Sequence, residues 1–245
     1  MEKSKFLRKN LVIIIIAIIA IIVGSIIMRY SVEGEENLPF QVSKIMVISN
    51  ASGIQRQESQ YKWDLNVVQN NDIYIDILKN KNYNKEEIID KVIFSNFEIN
   101  EKPKKGEVTV YSSASLENGI YNNEEQYKIT DTLEYIGNEE KSDMKNLQIS
   151  NQGGLILLRV VNENLGTYTS NEDEEIRHDG TLLGKLGLTN EDVTFTISFD
   201  LSIELKSDKN YKAKVTLELP KGNLATEGTT NYQISGTEEL VFKRY

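Results

Sequence analysis

The chain has 245 residues, 28 Lys+Arg against 37 Asp+Glu, a formal net charge of −9, one His and no Cys. This excludes a disulfide-stapled mini-domain, a thiol enzyme and a Cys-ligated metal protein. It also excludes a nucleic-acid binder that works by bulk positive charge.

The N-terminus carries Lys3, Lys5, Arg8 and Lys9, opposed only by Glu2. Leu11–Met28 follows, an uncharged run of 18 residues, ten of them Ile. At about 1.5 Å per residue it would reach about 27 Å as a helix, close to the hydrocarbon core of a bilayer. Ile and Val weaken helices in water, but in lipid the backbone must bond to itself. The run is too long for the apolar segment of a signal peptide, and no Ala-x-Ala site follows it. It therefore reads as an uncleaved signal anchor, a single transmembrane helix whose partner is the lipid bilayer. The positive-inside rule puts residues 1–10 in the cytoplasm as a basic tail and the C-terminal portion outside. The whole chain is 27% charged and 39% apolar, so the portion beyond this run is more charged and less apolar than that. Abundant Ile, Asn and Lys over Ala and Arg follow AT-rich codons and point to a low-GC bacterial source.

Residues 29–40, polar and acidic from Ser31 to Pro39, read as a stalk. From Gln41 onward, apolar and polar residues alternate with period two, the mark of strands with one buried face. Strands are expected at Val42–Ile48, Trp63–Val68 and Ile73–Ile77, with Asn70-Asn71 as a turn between the last two. A short helix is expected over Lys85–Lys91, capped by Asn84. Further strands are expected at Val92–Ile99, Val108–Tyr111 and Tyr127–Tyr135. Leu155–Val161 is almost continuously apolar and suits a strand covered on both faces.

Val193–Lys206 is the clearest case. Seven apolar residues, from Val193 to Leu205, alternate strictly with polar ones, and a helix would scatter them around its circumference. Ser207–Asn210 then turns the chain into Tyr211–Leu219, which alternates likewise, as in an antiparallel hairpin. Leu240–Phe242 could close the last sheet. The expected class is all-β: an extracytoplasmic β-sandwich, immunoglobulin-like topology being one option, without the Cys…Trp…Cys pattern of antibody domains. Polar residues 112–125 form either a long loop in one large sandwich or a linker. As a linker they would separate subdomain 41–111 from a larger subdomain 126–245.

Few residues suggest chemistry. His178 lies beside Asp179 in the acidic stretch Asn171–Gly180, and no Gly-x-Ser-x-Gly accompanies it. Gly180–Leu186 resembles a phosphate loop but lacks one spacer and the Mg-binding hydroxyl, so it reads as a Gly-rich turn. Ser142–Lys145 matches Ser-x-x-Lys without its supporting motifs. Glu172, Asp173, Glu174, Glu175 and Asp179 are candidates for a structural Ca²⁺, although their spacing fits no EF-hand. Asn50-Ala51-Ser52 is a sequon. None of these is nominated as a catalytic, cofactor or metal site. The expected function is a non-enzymatic envelope module binding a protein, peptide or glycan partner and no nucleic acid. The alternatives are a carboxylate-based hydrolase such as a glycosidase, or a scaffolding subunit whose membrane helix recognises a partner.

Overall fold

In the computed structural model, residues 15–26, 38–56, 61–112, 128–139, 146–235 and 240–245 are described. The first described element is helix α1 (15–26), the described portion of the expected span Leu11–Met28, with its Ile side chains exposed. Among the described residues no helix is long and apolar enough to cross a membrane.

The rest is mostly β. In chain order come β1 (Phe40–Gln55), β2 (Asp64–Lys79), β3 (Ile89–Glu101), β4 (Glu107–Tyr111), β5 (Leu133–Asn138), β6 (Gln148–Ser150) and β7 (Gly153–Thr169). Short helices α2 (Thr181–Lys185) and α3 (Asn190–Val193) lead to β8 (Phe195–Leu205) and β9 (Asn210–Leu219). Then follow α4 (Leu224–Glu227), β10 (Thr230–Ser235) and β11 (Lys243–Arg244). One sheet has the order β10-β1-β2-β7-β4, the other β11-β9-β8-β3-β5-β6. Among the described residues the two sheets hold eleven strands, more than the roughly seven to nine of an immunoglobulin domain.

Both sheets draw strands from either side of residues 112–125. β2 pairs with β7 and β3 with β8. The expected boundary therefore does not divide the chain into separate sandwiches, because one core is built from both portions. All of that stretch but Ser112 lies outside the described residues. The larger core cluster takes Ile73, Ile75, Ile77, Ile156, Leu158 and Val160 from the first sheet. It takes Val92, Phe94, Tyr135, Ile197, Phe199 and Val215 from the second.

Two local expectations are corrected. Asn70-Asn71 makes no turn: β2 runs straight through, with Asn70 2% and Asn71 0% exposed. Cross-strand partners replace the solvent these amides would otherwise need. Asn71 Oδ1 accepts from Ser49 Oγ at 2.7 Å, and its Nδ2 donates to the Val160 carbonyl at 3.1 Å. Lys85–Lys91 is not a helix either. Ile89 is buried and opens β3 opposite Leu205, while Glu87 turns to Lys209 and Ser207 rather than to a helical first turn.

β8 and β9 form the expected hairpin. β8 is central in its sheet, so its polar face is also screened, with Ser198 0% and Ser202 4% exposed.

A buried polar belt crosses the first sheet. Along β1 it is Ser49 between Val47 and Ala51. Along β2 it is Asn71 and Gln69 between Ile73 and Val67, and along β7 Asn162 between Val160 and Leu165. On one side lies the main core. On the other is a smaller cluster of Ala51, Leu65, Val67, Leu165, Leu182, Leu183, Val193 and Leu224, where α2, α3 and α4 close the end of the sandwich. On the other face of the same sheet Arg159 grips Asp72 in a bidentate pair at 2.6 and 2.8 Å, and both are almost fully buried.

Candidate functional site

Most of the described residues singled out in the sequence lie at this closed end, where residues 61–63 meet the loop after β7. The β1–β2 hairpin is tied by the Arg56 N–H donating to the Asp64 carbonyl at 2.8 Å. Next to it, residues 61–63 bond to the loop after β7. The Trp63 N–H donates to Ser170 Oγ at 2.8 Å, the Ser170 N–H to the Trp63 carbonyl at 2.8 Å, and the Asp173 N–H to the Tyr61 carbonyl at 3.1 Å. These bonds continue the β2–β7 ladder beyond its last pair, Asp64 with Thr169.

The backbone is thus fastened while the side chains keep much of their surface exposed among the described residues. Tyr61 is 64% and Trp63 47% exposed, and Ile54 nearby in β1 is also exposed. A partly exposed Tyr or Trp on a held backbone offers large apolar area with a polar edge at low entropic cost. By sequence alone Trp63 reads as a strand residue and Tyr61 draws no notice. No local signal separates an outward aromatic from one that faces the core.

The acidic loop folds onto itself and its neighbours. Glu174 accepts from Tyr168 Oη at 2.9 Å and from the Asn171 N–H at 3.0 Å, and it pairs with Lys185. The Lys185 ammonium, then the Asn171 N–H and the Tyr168 hydroxyl, hold its carboxyl below the usual value. Lys185 also lies 5.1 Å from the centre of the Tyr168 ring. Burial pushes the Asp179 carboxyl up, but bonds from the Thr181 hydroxyl and N–H outweigh it, and the net shift is downward. Glu172 faces Lys62 across 3.8 Å at the surface. Asp173 and Glu175 have no ion pair among the described residues. The acids point to different partners, and among the described residues no group of three or more His, Cys, Asp or Glu could hold a metal ion.

His178 Nδ1 accepts from the Gly53 N–H at 3.1 Å. It closes a backbone donor on β1, and among the described residues no nucleophile bonds to it. Gly180–Leu186 builds α2, with Leu182 and Leu183 fully buried in the smaller core cluster. Asn50 of the sequon is 9% exposed and accepts from Asn70 Nδ2 at 3.1 Å. Ser142–Lys145 lies outside the described residues.

No protein family, curated protein or solved structure matches the chain.

Proposed function

We propose that the protein is a membrane-tethered binding module. In this reading Leu11–Met28 anchors it, residues 1–10 stay in the cytoplasm, and the sandwich stands outside. There it binds a protein, peptide or glycan of the cell envelope through the end bearing Tyr61 and Trp63. The exposure of these two aromatics on a backbone bonded to residues 170–173 is the observation that carries the reading. Sandwiches commonly use end loops in this way, since the scaffold fixes them and solvent leaves them open. The uncharged run with its exposed Ile-rich helix supports the anchor.

The carboxylate-hydrolase alternative has less support. A general acid needs a carboxyl held protonated near neutral pH. Each described carboxylate with a resolved shift is displaced the other way: Glu87, Glu98, Glu174, Asp179 and Asp192.

A photo-crosslinking residue placed at position 61 of the full-length chain tests the reading in living cells. An adduct with an envelope component, diminished by Trp63→Ala, is the expected result. The same adduct at full yield in Trp63→Ala would move the contact elsewhere. In wall-stripped cells, added protease should digest the sandwich, and protection would reverse the topology.

A further inference from the structure

We propose a second docking site, independent of the Tyr61–Trp63 surface: the cleft beside β4 takes an extended acidic peptide as an added strand. β4 ends the first sheet, with β7 the one named strand that pairs with it among the described residues. On its other side the Val110 carbonyl accepts from the Ile129 N–H at 2.9 Å, and Lys128 forms an antiparallel bridge with Tyr111. The chain itself thus bridges this edge at one point with strand-like geometry. The segment then leaves: Thr130, Asp131 and Thr132 are exposed and belong to no strand. Backbone groups two residues apart point to the same side, so the N–H and C=O of Val108 face the open edge as those of Val110 do. No described group bonds them there.

A cleft of about 340 Å³ opens at this point, lined by Ile99, Lys102, Pro103, Gly106, Glu107 and Val108. That volume falls within the range of ligand clefts, about 300–1,000 Å³. Ile99 and Val108 pack against the main core and give the cleft an apolar floor. Lys102 lines it, with Lys105 next to Gly106. Both are exposed and neither has an ion-pair partner among the described residues, whereas Lys104 is paired with Glu191 at 3.2 Å. On a chain of net charge −9, three lysines of this loop, Lys102, Lys104 and Lys105, outnumber its two carboxylates, Glu101 and Glu107, although the charges of Lys104 and Lys105 also act on Asp192.

The walls are preformed. Gly106 has φ +91°, and a Cβ there would lie 2.0 Å from Asn162 Oδ1. Asn162 Nδ2 donates to the Lys105 carbonyl at 3.0 Å, and the Lys105 N–H to the Asp192 carbonyl at 2.8 Å. Strand addition takes affinity from main-chain bonds and selectivity from alternate side chains. Here one face of the peptide would meet Ile99 and Val108, and carboxylates would meet Lys102 and Lys105.

The test is fluorescence anisotropy of the full-length protein in detergent with a labelled Glu-Val repeat peptide and its Lys-Val counterpart. The acidic peptide is expected to bind at least tenfold more tightly. Val108→Pro removes the outward N–H without touching the β7 ladder and should weaken binding at least tenfold. Lys102→Glu with Lys105→Glu should do the same, and it serves alone if Val108→Pro melts early. Absence of binding by the acidic peptide would overturn the proposal and leave the lysines as guards of a bare edge. Equal affinity for both peptides, or binding untouched by the lysine variant, would also overturn it. So would a dimer that Val108→Pro disperses, since β4 would then pair with a second copy.

Discussion

The Tyr135 hydroxyl occupies both backbone groups of Leu157: it donates to the carbonyl at 2.6 Å and accepts from the N–H at 3.2 Å. Tyr135 belongs to β5 in one sheet and Leu157 to β7 in the other. β4 stops pairing at Arg159, and two residues further along β7 this buried phenol replaces the missing strand. Tyr135→Phe keeps the ring but strands two buried backbone groups, each costing about 1–3 kcal/mol. At about 2–4 °C per kcal/mol the melting temperature should fall by several degrees. A change of less than about 1 °C in a thermal melt would show that the hydroxyl does not join the sheets.

Asp72 and Arg159 should behave as a unit. Removing one partner leaves a buried charge, and Asp72→Asn or Arg159→Met should each cost about 3–5 kcal/mol in urea unfolding. The double variant should cost less than the two single ones together, because neither charge is then left alone. Strict additivity would contradict the pairing.

Two glycines should respond in opposite ways. Gly106→Ala puts a methyl where Asn162 Oδ1 and the Glu163 carbonyl stand, at a positive φ, and should destabilise by more than about 1 kcal/mol. Gly184→Ala in α2 meets nothing within 4 Å and should stabilise by about 0.5–1 kcal/mol. Similar effects in denaturant melts would mean that the β3–β4 loop is not held as described.

Acid should weaken the fold through Glu87 and Glu174. Burial pushes Glu87 up, but bonds from Lys209 and Ser207 prevail and bring it below its usual value. A carboxylate whose folded value lies below the unfolded one, about 4.3 for Glu, contributes stability above that pH. The contribution is lost as pH falls through the folded value. Lys209 is displaced upward, first by its bond to Glu87, so its share persists at neutral pH and is lost only in strong base. Melting temperature should therefore fall as pH drops below about 4.5. Glu87→Gln should start lower and show a shallower slope. An unchanged slope would remove Glu87 from the account.

The hairpin of β8 and β9 was legible because each strand declares its buried face by alternation. The unbroken run of β2 was not. Asn70-Asn71 is a turn signal by composition, and only Ser49, Val160 and Asn50, brought in from other strands, make those amides strand residues. The pairing of β2 with β7 and β3 with β8 likewise joins stretches of chain that look separable, since register across such distances leaves no local mark. At the candidate site, the charge and the single His drew attention to residues 171–180. The exposed Tyr61 and Trp63 have the composition of strand residues, and only the fold shows which side they face.

Trp63 is the only tryptophan in the chain, so its emission reports on the proposed contact surface and on nothing else. The full-length protein in detergent can be titrated with solubilised protein and glycan fractions of the envelope. The account predicts a saturable blue shift and loss of acrylamide quenching with one fraction, weakened by Tyr61→Ala. Emission and quenching unchanged by every fraction would contradict it.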